Sequence, residues 1–112
     1  MEKKDKLSLF KTAIEQWGVH PQVRMVFEEC SELMNALAKT YRCRTTKEDV
    51  ITELADVAIL VEQMAVVFGY EDYEKEVERK LEKLKQKLED SKCNLLNQED
   101  NFKKVSENGN ID

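Results

Sequence analysis

Hydrophobic positions recur along this chain at helical spacing, in four segments separated by short polar or glycine-bearing breaks. In the first, Leu7, Phe10, Ile14 and Trp17 share a stripe and Gly18 is a stop signal, so a helix is expected over roughly 4–16. The second can open at Pro21, whose missing N–H costs nothing in a first turn, and run to about Tyr41. Its apolar side is Val23, Val26, Phe27, Cys30, Leu33, Met34, Leu37 and Tyr41, while Glu28, Glu29, Glu32, Asn35 and Lys39 take the other. After a basic connector, Arg42 to Thr46, the pair Thr45 and Glu48 fits a capping box for a third helix from Lys47 to Phe68, closed by Gly69. The fourth begins near Glu71 or Asp72 and runs to about Lys92. There Val77, Leu81, Leu84 and Leu88 follow 4-3-4 spacing, a narrow seam for one partner helix. The Lys/Glu run from Glu74 to Lys87 reads as a solvated face with i,i+4 pairing, and residues 93–112 as a polar tail, frayed or disordered.

The third helix breaks the ordinary amphipathic pattern. At about 100° per residue, Glu53 and Asp56 point into the same sector as Val57, Leu60, Met64 and Val67. Leu54, Val61 and Phe68 continue the apolar surface on one flank, and Ile59 borders the other. Two carboxylates thus interrupt a helix that is apolar nearly all round, hence central, and it carries no Lys or Arg after Lys47. Buried carboxylates need protons, cationic partners or a metal. The second helix has the matching pattern in Glu28-Glu29-Cys30-Ser31-Glu32, again with carboxylates three positions apart and so on one face. Side by side, the two helices would gather four carboxylates. Their hard oxygen donors point to Mg²⁺ or a similar cation. If the acidic sides face each other, the second helix is covered on both faces, which one chain of four helices cannot do alone; a homo-oligomer follows. The competing arrangement is an ion pair with Lys39, Arg24 or a lysine of the fourth helix. In that case the chain is a non-enzymatic oligomerisation or adaptor module.

Composition narrows the class. With 112 residues, one Pro, three Gly and a preponderance of helix formers, the chain is expected to be a single all-α domain over residues 1–92. A net charge of −5 disfavours nucleic-acid polymers and anionic membranes as partners. The three cysteines, Cys30, Cys43 and Cys93, form no CxxC pair and argue for a reducing, cytoplasmic setting. The N-terminus MEKKDKLSLF lacks the apolar stretch of a signal peptide, and the longest apolar run, Leu54 to Phe68, is too short and too charged to span a bilayer.

The ordered set EExxE at 28–32 and ExxD at 53–56, with 20 residues between Glu32 and Glu53, resembles the MazG-type signature of the all-α nucleoside triphosphate pyrophosphohydrolases. Trp17-Gly18-Val19-His20-Pro21-Gln22 is similar to the WG…Q entry of small MazG-like proteins, many of them from phages and prophages. Glu32-Leu33 through Lys39 to Arg42 resembles their EL…K..R, and Glu53-Leu54-Ala55-Asp56-Val57 their E(I/L)ADV segment. The likeness covers roughly Leu7 to Leu88. It implies a four-helix bundle assembled as a homodimer or dimer of dimers. The implied reaction is Mg²⁺-dependent hydrolysis of an NTP or dNTP to the monophosphate and pyrophosphate, Mn²⁺ substituting, in house-cleaning or pool control. Carried over by position, the metal ligands would be Glu29, Glu32, Glu53 and Asp56, with Glu28 positioning water or holding a further metal.

Such a reaction assigns further roles. Glu28 or Glu29 would orient and deprotonate the attacking water. Lys39, two turns after Glu32 on the acidic stripe, is the leading phosphate contact, with Arg42 and Arg44 behind it. Trp17 either stacks on a base or caps the core between the first two helices, and Gln22 either donates to a base or sugar or lies on exposed surface. His20 reads as a cap or surface residue, and the cysteines as small core residues.

Overall fold

The computed structural model describes residues 1–107, and the side chains among them except those of 97 and of 100 onward. Four helices and no strand are present among the described residues: α1 (Lys3–Trp17), α2 (Val19–Thr40), α3 (Lys47–Phe68) and α4 (Tyr70–Glu107). The expected all-α class holds. No helix is long and apolar enough to cross a membrane among the described residues.

Two of the three breaks are single glycines. Gly18 has φ 88 and Gly69 φ 131, a region side-chain-bearing residues rarely adopt, and each closes the preceding helix by donating its N–H, to Ile14 O and Ala65 O, both at 2.8 Å. Because the turn at Gly18 is so short, α2 starts at Val19, two residues before Pro21, which still lies in the first turn where its missing N–H is harmless. The third break, residues 41–46, ends in an N-cap by Thr46, whose Oγ1 accepts from the Asp49 N–H at 3.2 Å. The cap therefore sits one residue beyond the expected Thr45 and Glu48 pair. α4 runs past its expected end near Lys92 to Glu107, since no Gly or Pro intervenes between Gly69 and Gly109. Of the expected frayed or disordered tail, residues up to 107 are helical, and 108–112 lie outside the described residues.

The chain divides into two compact units, one ending at Tyr73 and the other beginning at Glu74. In the first, α2 packs along α3, and α1 lies against both. The buried apolar residues are few: Phe10, Ala36, Leu60 and Ala65. α2 turns the line Gln22, Glu29, Ala36 inward, at seven-residue spacing, with Gln22 and Ala36 buried and Glu29 half-buried. Much of the apolar side predicted for α2 is consequently left outside: Phe27 is 70% exposed, Met34 65% and Tyr41 91%. At the start of α4, the Tyr70 hydroxyl donates to Glu62 Oε1 at 3.4 Å, Lys6 pairs with Glu62 at 3.3 Å, and Lys3 lies 5.5 Å from the centre of the Tyr70 ring. The second unit is the remainder of α4 described by itself, a helix with Arg79 and Lys80 both paired to Glu76.

Candidate metal centre

Glu29 is brought to α3 because it belongs to the inward line of α2. Glu53 and Asp56 meet it because they lie three positions apart on the inward side of α3. One carboxylate oxygen from each of Glu29, Glu53 and Asp56 lies within 4.8 Å of the others, and all three residues are half-buried. Glu29 Oε2 and Glu53 Oε2 are shut off from solvent and have no hydrogen-bond partner. Among the described residues, ion pairs form elsewhere, from Lys6 to Glu62 and from Arg79 and Lys80 to Glu76. The expected alternative, a cationic side chain of the same chain seated on these acids, is not formed at these two oxygens among the described residues.

The electrostatics follow from this crowding. Loss of water around the Glu29 carboxyl, then the neighbouring Glu32, Asp56 and Glu53, push its pKa up to about 7 from an ordinary 4.5. Glu53 is raised for the same reasons, first desolvation and then the charges of Glu32 and Asp56. Glu32, the fourth expected ligand, is exposed and stands outside the three-residue cluster, near enough to act on both. Glu28 is exposed, a quarter-turn or more round α2 from Glu29.

Two recesses flank the cluster. One, of about 160 Å³, is lined by Trp17, Gln22, Met25, Glu29, Asp56 and Gln63 among others. The other, of about 250 Å³, is lined by Glu32, Asn35, Lys39, Thr45, Asp49 and Glu53 among others. The sequence-predicted Trp17 and Gln22 thus lie on the Glu29 and Asp56 side, and Lys39 on the Glu32 and Glu53 side. Gln22 is buried, not exposed helix surface, with its amide N–H toward Met25 Sδ at 4.0 Å. Trp17 is 59% exposed. Arg42 is exposed in the turn after α2 and lines neither recess, and Arg44 likewise.

Gln63 was missed from sequence. It is buried, its Oε1 has no donor, and it shares the recess with Gln22. The signal was available: Gln63 follows Asp56 by seven residues, and so occupies the same face two turns on. Compared with protein-family models, with curated proteins and with solved structures, the chain matches none.

Proposed function

We propose that the chain is a Mg²⁺-dependent nucleotide pyrophosphohydrolase that cleaves the α–β bond of an NTP or dNTP, leaving the monophosphate and pyrophosphate. The observation that carries the metal half is the trio Glu29, Glu53 and Asp56, with one oxygen of each within 4.8 Å of the others, together with the buried, donor-less Oε2 atoms of Glu29 and Glu53. Three hard oxygen donors and an excess of negative charge fit Mg²⁺ or Mn²⁺, and leave room for phosphate oxygens and water to complete the shell. The nucleotide half rests on the likeness of EExxE, ELADV and the WG…Q entry to MazG-type enzymes.

When bound, Mg²⁺ supplies neutralisation of the triphosphate and of the leaving pyrophosphate. The chain's own residues do the rest. Glu29 and Glu53 hold their carboxylates crowded, so in the metal-free protein Glu29 retains a proton near neutral pH that a cation displaces. Of the two glutamates expected to handle water, Glu29 is in the cluster and Glu28 outside it, so Glu29 is the acceptor for the water proton. Lys39 offers its ammonium to the phosphates from the Glu32 and Glu53 side. On the opposite side Trp17 and Gln22, which line one recess, would stack on and hydrogen-bond a base. Assembly as a homodimer or dimer of dimers would cover Phe27, Met34, Tyr41 and Phe68, all strongly exposed in one chain. A cytoplasmic setting suits the free thiols of Cys30, Cys43 and Cys93.

The test is a pyrophosphate-release screen over all NTPs, dNTPs and common modified dNTPs with Mg²⁺ or Mn²⁺. At least one substrate should yield pyrophosphate and not orthophosphate, and Glu53→Ala should abolish this while leaving a folded protein. A complete panel without hydrolysis would end the enzyme reading.

A further inference from the structure

The second unit carries a seam of its own. Val77, Leu81, Leu84, Leu88 and Leu95 occupy the a and d positions of a heptad frame on α4, with Ser91 as the one polar break. They extend over about 28 Å of helix at 1.5 Å per residue. All five, one valine and four leucines, are 39–63% exposed, and together they make a contiguous apolar stripe on an otherwise polar helix.

The flanks of the seam say what covers it. In this frame the e and g positions from 78 to 92 are Glu78, Lys80, Lys85, Lys87 and Lys92, four cations to one anion. Positions facing away are mixed in sign and partly satisfied within the helix, as Arg79 is by Glu76 and Gln86 by Asp90. Lys80 also reaches Glu76, at 3.9 Å, on the fringe of the seam. Pairing α4 with itself sets like charges together. In a parallel pair Lys80 meets Lys85 of a second copy, and Lys87 meets Lys92 of a second copy. In an antiparallel pair centred on Lys85, that residue faces its own copy and Lys80 faces Lys87 of a second copy, leaving only Glu78 against Lys92 favourable. Like charges across a seam select against a partner as strongly as opposite charges select for one.

We propose that α4 is a docking helix for another protein, an amphipathic helix with leucine-type residues on its buried face and Asp or Glu along both edges. Recognition is heterotypic, by leucine packing for affinity and lysine–carboxylate pairing for choice. The lysines then have a role beyond keeping the helix in solution.

The test uses the full chain and two labelled three-heptad peptides, identical in their Leu seam, one with Glu at every e and g position and one with Lys. By fluorescence anisotropy at low salt the Glu-edged peptide binds at least about tenfold more tightly, and the gap narrows as salt rises. The charge-reversed variant K80E/K85E/K87E/K92E inverts the order of the two peptides. Leu84→Asp, on an exposed seam and so compatible with folding, abolishes binding of both with an unchanged circular dichroism spectrum. The proposal is overturned if neither peptide binds the wild-type chain, if both bind equally, or if reversal leaves the order unmoved. Binding of duplex DNA in place of peptide, surviving Leu84→Asp, overturns it too.

Discussion

Replacing Glu53 by Gln removes one charge from a cluster in which three carboxylates approach within 4.8 Å, and so reduces three like-charge pairs to one. The shape of the side chain is kept and a hydrogen-bonding amide takes the place of an oxygen that has no donor. Two consequences follow, of opposite sign. In EDTA the variant melts above the wild type, because the crowding that raises the Glu29 and Glu53 carboxyls is relieved. With Mg²⁺ the order reverses. At about 100 times the dissociation constant, a ligand that binds only the folded state contributes about 2.7 kcal/mol. Loss of a ligand group weakens a metal site about a hundredfold or more, leaving about 0.4 kcal/mol at the same concentration. For a chain of this size each kcal/mol moves the melting temperature by about 4 °C, so Mg²⁺ should raise the wild type by about 10 °C and the variant by about 2 °C. The assay is differential scanning fluorimetry in EDTA and across a Mg²⁺ series, with Ca²⁺ and high NaCl as controls for ionic strength. An interface of ion pairs predicts the contrary pattern, a variant less stable without metal and indifferent to it. A wild type with no Mg²⁺ response, or a Glu53→Gln variant with the full response, would refute the reasoning.

Other outcomes follow from the same geometry. Because Glu29 is raised from 4.5 to about 7, the folded metal-free protein holds a proton there that the unfolded chain gives up; stability contributed by this group is greatest below pH 4.5 and is lost as pH rises to about 7, which denaturant melts in EDTA would trace. Glu76, held below 4.5 by Arg79, acts only under that window and in the opposite sense. Phe10→Ala, at a site only 4% exposed, should cost about 3–5 kcal/mol in urea unfolding. Thr46→Ala removes the acceptor for the Asp49 N–H and should cost about 1 kcal/mol.

What could be read from the sequence was what local rules govern. Gly18 and Gly69 mark breaks because the turns there need backbone angles that a side chain resists, and Glu53 and Asp56 stand out because nothing else on α3 accounts for them. The periodicity of α2 was equally legible, but periodicity gives faces and not their partners. Val23, Val26 and Leu33 of the expected apolar side are half-buried, but Phe27, Met34 and Tyr41 are exposed, and the inward line also takes in Gln22, Glu29 and Ala36, a small residue and two polar ones. For the same reason Gln63 does not stand out in the sequence, and Glu32, expected among the ligands, lies beside Glu29 and Glu53 without joining the three oxygens that are mutually within 4.8 Å. α4 extends beyond Lys92 to Glu107, since Asn, Glu, Lys and Ser without Gly or Pro do not forbid a helix.

The most direct measurement is a crystal structure grown or soaked with Mn²⁺, with anomalous scattering recorded at the manganese edge. An anomalous peak is expected between the carboxylates of Glu29, Glu53 and Asp56, lost in Glu53→Gln. The proposed metal centre is contradicted if that space holds no manganese and the three carboxylates are instead paired with Lys or Arg side chains from a neighbouring copy of the chain.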